Sequence, residues 1–192
     1  MELDEALKGK VAIYKPSPQA LGLLNSTPIL LLVAIAGGGK DTIKHHLLGT
    51  GNYHHIISHT TRAPRLNDGV MEHDGLEYHF IDFATAERML DEGEYIEADV
   101  YAQNIYGTSI TEIRQAQKDG KIAITDMTIE GAEHYLSLAS GVKAVFLLPP
   151  SYDIWMKRLL KRYEGKPHKH DLYLRMQTAV KEIEHAMGSD KY

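Results

Sequence analysis

Residues 29–48 read ILLLVAIAGGGKDTIKHHLL, and this stretch sets the terms for the rest of the chain. The apolar run ILLLVAI is continuous, as expected of a strand buried on both faces. Gly37, Gly38, Gly39 and Lys40 follow, then a helical segment from Asp41 to Leu48 that Gly49 and Gly51 stop. A strand, glycine loop and helix in this order let successive backbone N–H groups turn onto phosphate oxygens. The helix N-terminus and a mobile ammonium add positive charge behind them. Of the pattern G-x-x-x-x-G-K-[ST], only Gly39 and Lys40 are met; Ala34 and Asp41 stand at the first glycine and the hydroxyl position. A plain glycine-rich turn is the competing reading of this stretch taken alone.

A doubly buried strand needs helices on both sides, and the 192 residues supply them. HIIS, EYHFID, KIAITDM and VKAVFLLPP read as strands, and EYIEADVYAQNIYGTS as two strands around a turn. Helices are expected at Phe83–Leu90, Ser109–Lys118, Glu130–Leu138, Tyr152–Tyr163 and Asp171–Met187. In the last, Asp171 is the expected N-cap, and Leu172, Met176, Ala179, Val180, Ile183 and Met187 form one apolar stripe. Alternating strands and helices predict an α/β fold with a largely parallel sheet. Near the start, VAIY (Val11 to Tyr14) reads as a short strand.

Composition narrows the classes. A formal charge of −5 argues against a general nucleic-acid binder, and the absence of cysteine removes disulfides, thiol catalysis and Cys-ligated zinc. No segment reaches the about 20 apolar residues needed to span a bilayer, and MELDEALKGK carries acids where a signal peptide has a basic region. A cytoplasmic protein with no membrane partner is expected. The paired histidines His45/His46, His54/His55 and His168/His170 lack an ordered third-ligand pattern, so a structural metal is not expected there.

Downstream of the loop come SHTTRAPR (58–65), DGLEYHF, EYIE, IYGTS and LLPPS, in that order. With the loop, these pieces resemble the guanylate kinases over about Pro28 to Met187. The resemblance implies a P-loop NTPase fold: a mostly parallel sheet flanked by helices, a small GMP-binding region over 58–108 and a lid over 163–171. Residues 1–28 would be an N-terminal extension to a domain spanning 29–192. It implies ATP-dependent phosphorylation of GMP or dGMP, with Mg²⁺ accompanying the ATP.

Site residues carry over by position. Ser58, Glu97 and Thr108 would read the base; Arg62, Arg65, Tyr78 and Tyr106 would grip the GMP phosphate; and Glu72 would contribute from the loop after Arg65. Ala36, Gly37, Gly38, Gly39, Lys40, Asp41, Thr42 and Arg158 would hold ATP. Lys40, Arg62, Arg162 and Arg175 would act in catalysis, and Asp41 and Asp126 would hold Mg²⁺, directly or through water. The chemistry supports these roles independently. Arginine offers a planar fork to a dianionic phosphate. A carboxylate accepts from guanine N1–H and N2–H₂ together, which adenine cannot match.

The chain departs from the family in three places. Thr128 replaces the second acid of a DID-like stretch whose first acid is Asp126. The loop LNDGVMEHDG is longer than usual, so spacing to Tyr78 favours Glu72 over Asp68. The family normally continues past DKY with a buried strand and a helix. KVAIYKPSPQALGLL is expected to supply a replacement strand and short helix. Two rival readings stand beside the kinase: a related kinase with another acceptor, and a non-catalytic binding module.

Overall fold

The computed structural model describes residues 3–67, 69–161 and 169–192. In chain order the elements begin with α1 (Glu5–Ala12), α2 (Pro18–Ser26), β1 (Ile29–Ala34), α3 (Lys40–Gly49), β2 (Tyr53–His55) and β3 (His59–Thr60). Next come β4 (Leu66–Asn67), β5 (Val70–Met71), β6 (His79–Phe80), α4 (Phe83–Asp91), β7 (Tyr95–Tyr101) and β8 (Asn104–Ser109). The chain closes with α5 (Ile110–Lys118), β9 (Ile122–Asp126), α6 (Ile129–Leu138), β10 (Val142–Leu147), α7 (Tyr152–Lys161) and α8 (Lys169–Met187). These fall into two compact units: Met1–Pro28 with His54–Ala123, and Ile29–Tyr53 with Ile124–Tyr192.

The second unit is built on a four-stranded sheet in the order β10-β1-β9-β2, with β1 and β10 parallel and Ile29 opposite Val142. Leu31, Leu32 and Val33 are all buried, as a central strand requires. Thr128 is the N-cap of α6, its hydroxyl accepting from Gly131 N–H at 3.2 Å. The residue that departs from the family's acid therefore starts a helix. Trp155 and Leu159 of α7 meet Ile35 and Ala179, with Leu172, Met176 and Ile183 packed against them. The apolar stripe of α8 differs from expectation: Val180 is 51% and Met187 81% exposed, and Ala186 is buried instead. α8 also begins at Lys169, so Asp171 lies within the helix and not ahead of it.

The first unit holds a sheet in the order β6-β3-β8-β7. β7 and β8 form the expected hairpin, turned by Ala102 and Gln103, both with positive φ (47° and 62°). That is the twist a two-residue hairpin turn demands. HIIS is not itself a strand: its first residue, His55, ends the short β2, and its last, Ser58, immediately precedes β3. EYHFID pairs only at His79–Phe80, beyond the bridging Tyr78.

The N-terminal segment contradicts the strand expected at VAIY. Asp4 caps α1, accepting from Leu7 N–H at 2.7 Å, and Leu3, Leu7 and Val11 recur every fourth residue on one buried face. That helical period outweighs the β-propensity of a short VAIY run, leaving Val11 buried and Ile13 79% exposed. Ser17 caps α2, with Pro18 at its first turn. Both helices pack within the first unit: α1 on α4 and β7, α2 on α5. No helix among the described residues is long and apolar enough to cross a membrane.

Candidate active site

Two groups of expected site residues assemble, one in each unit. In the second unit the glycine loop joins β1 to α3. Gly37 and Gly39 take positive φ (80° and 103°), which an L side chain resists. Gly38 is needed for a different reason: a Cβ there would lie 2.8 Å from the Ala34 Cβ and 3.0 Å from the Ile35 carbonyl oxygen. Ala34 itself ends β1 in regular strand geometry, so the missing first glycine costs the loop nothing.

The loop carbonyls are held from α7. Trp155 Nε1–H donates to the Ala36 carbonyl at 2.8 Å, and Arg158 Nη1 donates to the Gly37 and Gly38 carbonyls at 3.3 and 3.5 Å. Binding those oxygens leaves the first N–H groups of α3, which have no intrahelical acceptor, for an anion. Ala36, Gly37, Gly38, Gly39, Lys40, Asp41, Thr42, Asp126, Arg158 and Arg175 line one cavity of about 790 Å³.

Lys40 Nζ lies 3.0 Å from Asp126 Oδ2, and Lys44 Nζ lies 2.5 Å from Asp126 Oδ1. Burial pushes the Asp126 acid up, but the two lysines outweigh it and hold the carboxyl below its ordinary range. Asp41, on the exposed first turn of α3, is where the helix dipole favours an anion. Arg162 and residues 163–168 of the expected lid lie outside the described residues; residues 169–171 form the start of α8.

In the first unit, Arg62 is 8% exposed and forks onto Glu72, itself 8% exposed, at 2.8 and 3.1 Å. Glu72 also accepts the Arg65 backbone N–H at 2.8 Å. The guanidinium of Arg62 sits over the Tyr78 and Phe80 rings at 5.3 and 5.7 Å, and Tyr78 and Tyr106 meet edge-on at 5.8 Å. Arg62, Glu72, Tyr78 and Tyr106 are thus one cluster, with the Arg65 side chain on its exposed margin.

Two residues along β8 from Tyr106, Thr108 points to the same face. It pairs with Glu97 across the hairpin, and its hydroxyl lies 3.4 Å from that of Ser58. Burial pushes the Glu97 carboxyl up to about 7, against a hydrogen bond from Thr108 and with the charge of Asp99 adding to the rise. Both the hydroxyl and the backbone N–H of Thr108 hydrogen-bond this carboxyl, and the rest of its acceptor capacity is open to further donors.

With this geometry in place, likeness to known proteins has something to explain. A family profile described as Guanylate kinase matches residues 26–190. The chain belongs to the guanylate kinase family. It is 34% identical over 165 residues to the guanylate kinase of Bdellovibrio bacteriovorus, covering 85% of this chain and 86% of that one. It is 35% identical over 163 residues to that of Francisella tularensis, covering 82% and 83%. The crystal structure of guanylate kinase from Anaplasma phagocytophilum aligns with a TM-score of 0.57 at 27% identity, covering 88% of this chain and 77% of that one.

This member of the guanylate kinase family also holds site residues that pattern reading missed. Lys44 had a legible signal, lying one helical turn after Lys40 on the same face. Trp155 and Glu182 had none, since each reaches the loop or its cavity from a helix far along the chain. Glu112, apart from both groups, had none either: within the first unit it accepts from His54 at 3.1 Å and His79 at 3.0 Å. That gives His54 a structural partner. Among the described residues, no group of three or more His, Cys, Asp or Glu side chains is gathered as for a metal ion.

Proposed function

We propose that the protein moves the γ-phosphoryl group of ATP to GMP or dGMP, giving ADP and the nucleoside diphosphate, with these nucleotides as its cytoplasmic partners. The observation that carries the reading is the pair Glu97–Thr108 beside Ser58, in a chain that keeps its glycine loop and Lys40. A binding module would have no need of both.

The chemistry asks little covalent work of the protein. The bond between the γ-phosphorus and its bridging oxygen breaks, and a bond from a GMP phosphate oxygen to that phosphorus forms. The attacking oxygen is already anionic at neutral pH, so no general base is required. Ala36, Gly37, Gly38, Gly39, Asp41 and Thr42 shape the ATP phosphate site, Lys40 binds phosphate oxygens, and Arg158 holds the loop while facing the same cavity. Arg175 and Arg162 neutralise developing charge, as arginine does at transferring phosphoryl groups. Arg62, Arg65, Tyr78 and Tyr106 orient the GMP phosphate, with Glu72 presetting the Arg62 fork. Ser58, Thr108 and Glu97 read the base.

Asp41 and Asp126 bring carboxylate oxygens, the hard donors Mg²⁺ takes, to the cavity of the loop and Lys40, so the donor set fits that ion. When bound, Mg²⁺ supplies charge neutralisation to the phosphates.

The test is ADP release measured by a coupled assay with GMP, dGMP, AMP, UMP and CMP as acceptors. Turnover with GMP and dGMP, and background rates with the other three, are expected. Equal turnover with AMP would remove the base-reading role of Glu97, and no turnover with any acceptor would leave a binding module.

A further inference from the structure

The first 25 residues lie outside the span that matches the family, 26–190. They nevertheless reach the strand that carries Glu97. The Tyr14 hydroxyl donates to the Tyr95 carbonyl at 2.7 Å and accepts from the Tyr95 N–H at 3.2 Å. One phenol thus occupies both backbone polar groups of a residue on β7, the edge strand of its sheet. Tyr14 is anchored in turn: its ring meets the Tyr95 ring edge-on at 6.3 Å, and α1 packs Leu3, Leu7 and Val11 around the same core. Lys10 bridges Glu87 and Asp91 at 2.8 and 2.9 Å, and Ser17 donates to the Gly93 carbonyl at 3.2 Å.

What Tyr14 holds is the start of a bulge. Tyr95 pairs with Ser109, yet Glu97 pairs with Thr108, so β7 spends one residue more than β8 over this step. In an unbroken strand, residues two apart share a face. Here they do not. Tyr95 lies under Gly107, where a Cβ would come within 2.7 Å of its ring, while Glu97 stands on the face of Thr108 and Tyr106. The bulge is what turns Glu97 out of the core and toward Thr108. A bulge on an edge strand lacks a second strand to fix it, and the Tyr14 hydroxyl takes that place.

We infer that Tyr14 is a positioning residue for GMP, holding the β7 bulge that aims Glu97 at the base. This rests on the reading of Glu97 as the guanine acceptor. Tyr14→Phe keeps the ring and removes only the hydroxyl. It is expected to raise the GMP KM about 5–20-fold, the size of one lost hydrogen bond at a positioning site, while kcat and the ATP KM stay within about twofold. In a Glu97→Gln background the same change is expected to have no further effect on the GMP KM, because the two act as one unit. Lys10→Met, which loosens α1 at its far side, is expected to lower the melting temperature and leave the GMP KM unchanged.

A GMP KM within twofold of wild type in Tyr14→Phe, while Glu97→Gln is impaired, would overturn the inference and leave the base reading intact. So would equal effects of Tyr14→Phe on both backgrounds, or the same KM rise in Lys10→Met, since each marks general loosening. An unaltered GMP KM in Glu97→Gln would overturn the base reading and this inference together.

Discussion

Two carboxyls in this protein are held in opposite ways, and each gives a separate prediction. Glu97 is pushed up to about 7 by burial, whereas the proposed contact with guanine needs it ionised. GMP affinity should therefore fall as pH drops below 7, by about tenfold between pH 8 and pH 6 from this group alone. The GMP phosphate also titrates near pH 6, so the measure is the loss in wild type beyond the loss in Glu97→Gln, by calorimetry. Equal pH profiles in the two would remove Glu97 from the base site. The sign for stability is the reverse of a salt-bridged acid: a carboxyl raised in the folded state favours folding at low pH. That contribution is lost as pH rises from the ordinary carboxylate range to about 7. Asp126 is instead held low, between Lys40 and Lys44. Lys44→Met would leave Lys40 as the remaining partner of these two and tie it down. Metal-free ATP should then bind about 5–10-fold more weakly, a cost of about 1 kcal/mol, and Lys44→Arg should restore it. An unchanged dissociation constant measured in EDTA would show that Lys40 needs no such relief.

At the level of elements, continuous or strictly periodic signals were legible. β1, α4, the β7–β8 hairpin and β10 lie where the sequence puts them, because an unbroken apolar run or a 3.6-residue stripe leaves little choice. Short apolar runs misled. VAIY has β-forming residues but ends a helix, since Asp4 and the spacing of Leu3, Leu7 and Val11 act over a longer window. The stripe of α8 was misjudged at Val180 and Met187, where nothing in a helical period says which edge faces the core. The expected residues of the first-unit cluster met because β3, β6, β7 and β8 lie side by side. Of the partners missed, Lys44 had a local signal in its helical spacing from Lys40, whereas Trp155 and Glu112 take their roles from packing that no local pattern encodes. Helix α1 gives the prediction proper to this scale. Leu7→Ala removes a buried side chain from the core shared with Met89, Leu90 and Tyr95 and should destabilise the protein by about 2–4 kcal/mol in urea titration. A change under about 0.5 kcal/mol would mean that α1 is only loosely attached.

For the molecule as a whole, the order in which residues are joined differs from the order in which they pack. The first unit takes its helices α1 and α2 from before β1 and its sheet from after residue 53, while the second takes β1 early and the strand paired with it, β10, late. A ribosome emits α1 and α2 first, yet their partners α4, β7 and α5 emerge only after β1, the glycine loop and α3. β1, the most apolar strand, then waits for its two sheet neighbours, β9 (Ile122–Asp126) and, later still, its parallel partner β10 (Val142–Leu147). Parallel pairing over such a span is slow, and an unpaired apolar strand is exposed meanwhile. The first unit can close once residue 123 is out, ahead of the phosphate loop's own sheet. In the nascent chain, the cluster of Arg62, Glu72, Tyr78 and Tyr106 would then take shape before the sheet that carries the glycine loop.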